Sequence, residues 1–337
     1  MSQSPQRIAL VIGAGGAFGR HAVLALASRG WRIRALARDA AGARARFGGA
    51  AAIDWVQGDA MDPAAVLAAA GGVRLVIHAA NPPGYRNWKG TVLPMADNAL
   101  AAARAAGARL VIAGSVYNFA PDAGAAIAET APQGAITRKG RIRVELERRL
   151  REAASQGAKV LVLRAGDFFG PEAPATSLGW LTIRRGGRLR GIYAPGRAAH
   201  AFAYLPDLAE TLARLLEREA ELADFEVFHF RGCWSMASEL AAAIRRAAGQ
   251  PALPLRPFPW MMIRALSPFV ETFRELLEMR YLWDRPIGLA NAKLVGFLGE
   301  EPHTPLETAL RATLGDMGVL GSGYPASRSS SAIAQTM

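Results

Sequence analysis

The chain has 337 residues, 51% of them hydrophobic, and a formal net charge of +12 at pH 7. This composition excludes a fibrous or mainly disordered chain, and the single cysteine, Cys233, excludes an internal disulfide bond. No secretory signal and no apolar run long enough to cross a bilayer are visible, so we expect a cytoplasmic protein without an integral membrane span. The arginines are scattered among alanines, without a basic tail, and we therefore expect no nucleic-acid partner.

Short apolar runs alternate with alanine-rich segments through the first half of the chain. The predicted strands are Ile8 to Ile12, Arg32 to Ala37, Ile53 to Gln57, Val73 to Ala79, Ala108 to Gly114 and Lys159 to Ala165. The predicted helices between them are His21 to Arg29, Pro63 to Ala70, Val92 to Ala106 and Ile142 to Ala154. This alternation predicts an α/β fold with a doubly wound parallel sheet.

The alternation ends after residue 165. We predict loops from Gly166 to Arg197, a helix from Leu205 to Glu219, a strand from Phe225 to Phe230 and mainly helices from Ser235 onward. Phe258 to Val270 is unusually rich in Trp, Met and Phe, which suits a pocket lid, a partner-docking or membrane-contacting surface, or helices packed on the core.

Three parts of the chain follow from this pattern. Residues 1–165 are predicted to form a nucleotide-binding core. Residues 166–320 form a smaller, mainly helical substrate-side region, from which a segment at about 198–230 returns to the core. The Ser/Gly/Ala-rich tail at 321–337 is predicted to be disordered.

A glycine-rich turn separates the first strand from the first helix. It comprises Gly13, Ala14, Gly15, Gly16, Ala17, Phe18 and Gly19. Glycines let the backbone approach a pyrophosphate, and amides at a helix start point toward its negative charge. We therefore predict that all of these residues except Ala14 bind a dinucleotide, the alternative being a plain tight turn.

Cofactor selectivity is expected at the end of the second strand. An acidic residue there binds the ribose hydroxyls of NAD, whereas an arginine accommodates the 2′-phosphate of NADP. The strand ends at Ala37 and is followed by Arg38, which favours NADP; NAD is preferred instead if Asp39 is the ribose ligand.

Several motifs in order resemble the extended short-chain dehydrogenase/reductases, the NAD-dependent epimerase/dehydratase group. They are Gly13-x-x-Gly16-x-x-Gly19, Gly58-Asp59, His78-Ala79-Ala80, Val116-Tyr117, Arg164 to Pro171 and Tyr204 to Ala209. The resemblance implies a Rossmann-type fold, cofactor contacts from Asp59, Ala60, Ala79 and Ala80, a small-molecule substrate and a possible homodimer.

The chain departs from this family at the catalytic positions. The family uses a tyrosine followed four residues later by a lysine, and these positions match Thr137 and Arg141. Arginine can still hold the cofactor ribose, but it cannot give up a proton, and a threonine hydroxyl is a poor proton donor. The family serine falls on Ala113, although Ser115 lies close by.

Other groups are candidates for proton transfer. Tyr117, with Ser115 before it, follows the fifth strand, and Tyr85 lies in the loop after the fourth; simple packing is the alternative for both. Asp167 follows the sixth strand and suits either a substrate contact or a turn cap. Glu145 and Glu147 are spaced to pair with Arg149 and Arg151 on a helix surface.

Two functions remain open from the sequence. The first is an oxidoreductase or epimerase that binds NAD(P) and acts on a small carbonyl or sugar-like substrate. The second is a non-catalytic protein that senses NADP or assists assembly. The histidines share no metal-ligand spacing, so no metal site is predicted.

Overall fold

A computed structural model describes residues 7–49, 51–82, 87–173 and 176–320. The strands are β1 Ile8–Ile12, β2 Arg32–Ala37, β3 Ile53–Gln57, β4 Leu75–His78, β5 Arg109–Ser115, β6 Lys159–Ala165, β7 Asp167–Phe169, β8 Thr182–Arg185, β9 Arg188–Ala194, β10 His200–Tyr204, β11 Phe225–His229, β12 Cys233–Ser235 and β13 Leu255–Pro257. The helices are α1 Ala17–Ala27, α2 Ala40–Phe47, α3 Pro63–Ala69, α4 Trp88–Ala105, α5 Arg138–Ser155, α6 Ser177–Leu181, α7 Leu205–Glu217, α8 Ala237–Ala248, α9 Trp260–Leu266, α10 Glu271–Glu278, α11 Tyr281–Asp284, α12 Ala292–Leu298 and α13 Leu306–Asp316.

Seven parallel strands form the main sheet, in the order β11-β6-β5-β4-β1-β2-β3. The order reverses between β1 and β4, which is the point where sheets of this kind open a crevice at their carboxyl ends. One face of the sheet packs on α1 and α7, and the other on α3, α4 and α5. The predicted Rossmann-type, doubly wound α/β fold is confirmed.

Four of the six predicted strands in the first half have the predicted bounds, and the other two differ by one or two residues at their ends. The central strands β1 and β4 are apolar along most of their length because helices cover both faces of the sheet. The predicted strand after residue 224 joins the sheet edge, where Phe225 pairs with Val160.

The prediction of loops from Gly166 to Arg197 is wrong. This segment contributes β7 to one three-stranded sheet, ordered β12-β10-β7, and β8 and β9 to another, ordered β13-β9-β8. Gly186 and Gly187, both at positive φ, turn β8 back on β9 as a hairpin. These short strands bury few side chains of their own, and their pairing with distant segments stabilises them.

Six helices, α8 to α13, follow residue 235 in the described part of the chain, in agreement with the prediction for this region. No helix in the described ranges combines the length and the apolarity needed to cross a bilayer. The predicted tail at 321–337 and the candidate Tyr85 lie outside the described residues.

Candidate functional site

The glycine turn after β1 contains two kinds of glycine. Gly13 has φ +90°, and a Cβ there would lie 2.6 Å from the Ala80 backbone nitrogen, whereas a Cβ on Gly19 would lie 2.2 Å from the Gly13 carbonyl oxygen. These two glycines are required because backbone meets backbone. A Cβ on Gly15 would meet nothing within 4 Å, and Gly16 is also exposed.

The open side of the turn leads to the start of α1. The Gly16 amide donates to the Gly13 carbonyl at 2.9 Å, which closes the turn, and the first helical turn carries no acidic residue. Unpaired amides at a helix start favour a negatively charged ligand. The turn therefore offers exposed backbone and a positive helix end at the carboxyl edge of the sheet.

The strand next to β1 completes this edge. Ala79 continues β4, and its amide donates to the Ile12 carbonyl at 2.9 Å. The Ala80 backbone packs against Gly13. His78 is buried, and burial together with the charge of Arg143 lowers the pKa of His78 to about 4. The small residues after His78 thus pack closely against the glycine turn.

The side chains after β2 have different roles. Asp39 caps α2, its carboxylate accepting from the Gly42 amide at 2.8 Å and lying 3.7 Å from Arg46. Arg38 is exposed and is held through its carbonyl oxygen, which accepts from the Gln57 amide. Of the two candidates for binding the cofactor ribose, Asp39 is therefore engaged as the cap of α2, whereas the Arg38 side chain is exposed.

Asp59 and Ala60 lie in the turn after β3. The Asp59 carboxylate accepts from the Met61 amide at 2.9 Å and remains exposed. The Ala60 carbonyl accepts from Asn98 of α4 at 2.9 Å. These contacts fix the turn at the same edge of the sheet as the glycines.

Tyr117 lies in a short 3-10 turn directly after β5. Its side chain is buried and packs on Trp88, with ring centroids 6.2 Å apart. The Ser115 hydroxyl accepts from the Tyr117 amide at 3.4 Å. The structure thus brings Ser115 and Tyr117 together; their catalytic roles stay predictions.

The two residues at the family's catalytic positions differ in burial. Thr137 is buried and caps α5, its hydroxyl accepting from the Gly140 amide at 3.0 Å. Arg141, one turn later, is exposed. The threonine oxygen therefore has a structural role, and the arginine is the accessible charge of the pair.

Lys139, between those two positions, is buried to 1% exposure. Its ammonium pairs with the Glu275 carboxylate, lies 3.7 Å from Glu278, and sits 5.9 Å from the Trp88 ring centroid. No sequence pattern pointed to this pair, because its members are 136 residues apart. The pair ties the start of α5 to α10.

A second buried charge pair lies beneath Ser115. The Arg164 guanidinium donates to the Glu147 carboxylate at 2.7 Å and to the Ser115 carbonyl at 2.9 Å, and Asn118 donates to the same carboxylate at 3.0 Å. The predicted surface pairing of Glu147 with Arg151 is wrong, because the face of α5 that carries Glu147 packs on the sheet. The predicted pair of Glu145 with Arg149 is confirmed at 2.8 Å.

His229 completes this network. Its Nδ1 lies 2.9 Å from the Ile127 carbonyl and its Nε2 lies 3.1 Å from the Arg164 Nε, so Nδ1 donates and Nε2 accepts. Burial and the charge of Arg164 lower the pKa of His229 to about 3. The imidazole is therefore neutral at physiological pH.

Asp167, at the start of β7, is partly exposed. Its carboxylate lies 3.0 Å from His200 Nε2, and the opposite nitrogen of that ring lies 3.1 Å from the Leu282 carbonyl. The His200 ring stacks on Trp283 with centroids 3.8 Å apart. The contacts hold Asp167 just beyond the carboxyl end of β6, where a polar group can face a ligand. No cluster of three or more potential metal ligands occurs in the described ranges.

Several solved structures with a similar fold are UDP-glucose 4-epimerases. A UDP-glucose 4-epimerase from Stenotrophomonas maltophila, with bound NAD and formylated UDP-arabinopyranose, aligns with a TM-score of 0.70 and 18% identity over 93% of this chain and 98% of that one. The enzyme from Bifidobacterium longum with NAD+ and UDP aligns with a TM-score of 0.68 and 16% identity over 91% and 97%. The enzyme from Thermus thermophilus with NAD aligns with a TM-score of 0.68 and 21% identity over 92% and 98%. At such identities the likeness shows the fold.

No curated protein sequence matches this chain. A family model does, and it covers residues 9–229, which hold the main sheet, the glycine turn and the buried Arg164–Glu147 pair. The chain belongs to the NAD-dependent epimerase/dehydratase family.

Proposed function

We propose that this protein binds a nicotinamide dinucleotide, in the form of NADP in preference to NAD, and acts as an oxidoreductase or epimerase on a small carbonyl or sugar-like substrate. The glycine turn carries the first part of the proposal. Gly13 and Gly19 are required for packing, whereas Gly15 is exposed and faces open space, which leaves its backbone accessible to a ligand.

The residues that would hold the cofactor fit this assignment. The exposed backbone of Gly15 and the first amides of α1 would bind the pyrophosphate, Arg38 would bind the 2′-phosphate, and Asp59 would contact the adenine. The engagement of Asp39 in the cap of α2 supports the choice of Arg38. Arg141 holds the ribose, as the resemblance to the family implies. Since nicotinamide dinucleotides are intracellular metabolites, we expect the protein to act in the cytoplasm.

A bound nicotinamide would supply the hydride acceptor or donor for a substrate carbon. A protein group must then exchange a proton with the substrate oxygen, and Tyr117 and Tyr85 are the proposed donors. Tyr117 has the support of its place directly after β5. Asp167, fixed by His200, is proposed as a substrate contact. The structural neighbours bind UDP or UDP-sugars, and a sugar nucleotide is the first substrate class to test.

Fluorescence titration with NADPH and NADH tests cofactor binding. We expect tighter binding of NADPH, and Arg38→Ala should weaken NADPH binding about tenfold while NADH binding is unchanged. Arg44→Ala, an exposed arginine on α2, is the matched control and should match the unmodified protein. Binding of neither nucleotide would overturn the proposal.

A second function is favoured by one observation. The hydroxyl of Thr137 caps α5 and the family's lysine position is an arginine, so neither matched position transfers a proton readily. A non-catalytic NADP sensor or assembly protein would tolerate these residues. Turnover of NADPH with ketones, aldehydes or sugar nucleotides, lost in Tyr117→Phe or Tyr85→Phe, supports the enzyme. NADPH binding without turnover, accompanied by a change in conformation or partner binding, supports the sensor.

A further inference from the structure

Helix α9 and the turn after it expose an apolar surface. Met261 is 81% exposed and Phe269 is 86% exposed, and Met262 and Leu266 are also exposed. Met262 and Leu266 are one turn apart on α9, and Phe269 lies in the turn that follows. We call Met261, Met262, Leu266 and Phe269 the α9 face. Exposed apolar side chains grouped in this way mark an interaction site.

The α9 face is held rigidly. Trp260 Nε1 donates to the Pro195 carbonyl at 2.6 Å, the Phe258 amide donates to the Ala194 carbonyl at 3.1 Å, and Ile263 is buried. These contacts anchor α9 to the end of β9. One side of α9 packs on the core and the other side is exposed to solvent, so the exposed apolar side chains are held in fixed positions.

The carboxylates of α10, which packs on α9, are engaged by α5 and by the Asn87 amide, and the chain segments that carry β8, β9, β13 and α9 lack acidic residues. No Asp or Glu occurs between Glu172 and Asp207, which includes β8 and β9, or between Glu239 and Glu271, which includes β13 and α9. The exposed arginines in these segments that pair with no carboxylate of the described residues are Arg184, Arg185, Arg188, Arg190, Arg197, Arg256 and Arg264. Arg264 lies on α9, and Arg256 and Arg197 lie near the end of β9 to which α9 is anchored, whereas Arg184, Arg185 and Arg188 lie at the hairpin turn at the other end of β9. We call Arg197, Arg256 and Arg264 the unpaired arginines.

Several arginines of α5 and α7, unlike the unpaired arginines, lie beside carboxylates. On α5, Arg148 and Arg149 each lie 2.8 Å from Glu145, and on α7 Arg214 lies 2.8 Å from Glu210. The positive charge of these helices is therefore largely neutralised by neighbouring carboxylates. The charge around the α9 face is not, and it favours an anionic partner.

We propose that the α9 face and the unpaired arginines dock this protein on the surface of a bilayer that contains anionic lipids. The apolar side chains enter the headgroup boundary while the arginines contact lipid phosphates. A second copy of the chain is a poorer occupant, because a symmetric contact would bring these arginines against their own copies without a carboxylate. A nucleic acid would leave the α9 face unburied.

Co-sedimentation with vesicles tests the proposal. The full chain should bind vesicles of equimolar phosphatidylcholine and phosphatidylglycerol, bind pure phosphatidylcholine weakly, and be released by high salt. Phe269→Ser and Met261→Ser should each weaken binding about tenfold. Arg264→Ser should weaken binding to the anionic vesicles only. Leu67→Ser removes an exposed leucine from α3 (51% exposed) and is the matched control, expected to bind as the unmodified protein does.

Three results would overturn the proposal. The first is absence of binding to the anionic vesicles, and the second is equal binding of Phe269→Ser and Leu67→Ser. The third is a dimer in solution that Phe269→Ser dissociates, because it would assign the face to a second copy. NADPH titration of the same samples is independent of all three, so failure here leaves the proposed function standing.

Discussion

The two halves of the sheet's carboxyl edge are built differently. After β1 and β4 the edge consists of backbone and small residues, with open space opposite Gly15. At β5 and β6 it is filled by the protein's own charges, where Arg164 binds Glu147 and the Ser115 carbonyl. The first half leaves exposed backbone and a helix start at the edge, whereas in the second half the buried Arg164 and Glu147 bind each other.

This difference separates motifs that bind a ligand from motifs that hold the fold together. No packing contact requires a glycine at Gly15, and its place between a strand and a helix start supports the proposed binding of a ligand there. Buried charges have a different explanation, because they must be paired to remain in a low-dielectric interior. The Arg164 and Lys139 pairs therefore account for residues near the expected catalytic centre without any reaction.

Removal of the charge of Glu147 should give the largest effect. Glu147→Gln leaves the guanidinium of Arg164 buried without a counter-charge and should lower the free energy of unfolding by about 3–5 kcal/mol. Glu145→Gln is the matched control on the same helix. Glu145 is partly exposed, and hydrogen bonds from Arg148 and Arg149 lower its pKa to about 2, but water screens these pairs. Urea unfolding that gave equal stabilities for the two variants would contradict the buried pair.

Alanine substitution should separate the two kinds of glycine. Gly13→Ala places a Cβ against the Ala80 backbone at positive φ and should destabilise the fold by about 3 kcal/mol. Gly15→Ala has space for its methyl group and should leave stability unchanged while it weakens NADPH binding. Thermal unfolding and nucleotide titration measure the two effects. Loss of stability in Gly15→Ala would show that this glycine too is required by packing.

Acid should destabilise the protein through the buried histidines. The pKa of His229 is lowered from its ordinary 6.5 to about 3, so between these values the unfolded chain binds a proton that the folded chain does not. Stability therefore falls as pH falls through this window, by about 2 kcal/mol for His229 at pH 5. His78 acts in the same direction.

Substitution identifies the responsible group. His229→Asn should be less stable than the unmodified protein at pH 7.5 but lose less stability on going to pH 5. His303→Asn changes an exposed histidine and should keep the pH dependence of the unmodified protein. Urea unfolding at the two pH values checks this, and an unaltered pH dependence in His229→Asn would exclude the histidine as its source.

Elements with local signals could be predicted from the amino-acid sequence. The core strands are continuous apolar runs between turns, and the pyrophosphate turn is a glycine pattern between a strand and a helix, so neither depends on distant partners. Strand bounds such as Ile8–Ile12 and Lys159–Ala165 followed directly. The departures from the family's tyrosine and lysine at Thr137 and Arg141 could also be seen in the sequence, because a family position can be compared residue by residue.

The burial and pairing of charges, in contrast, emerged only from the folded chain. Glu145 and Glu147 are two residues apart with the same side chain, yet one pairs on the surface and the other binds Arg164 beneath the sheet. Lys139 is buried because Glu275, far along the chain, folds over it. The β8–β9 hairpin likewise exists through its pairing with β13. Burial depends on which distant segments meet, and a charge's free energy depends on burial, so neither is written in the local sequence.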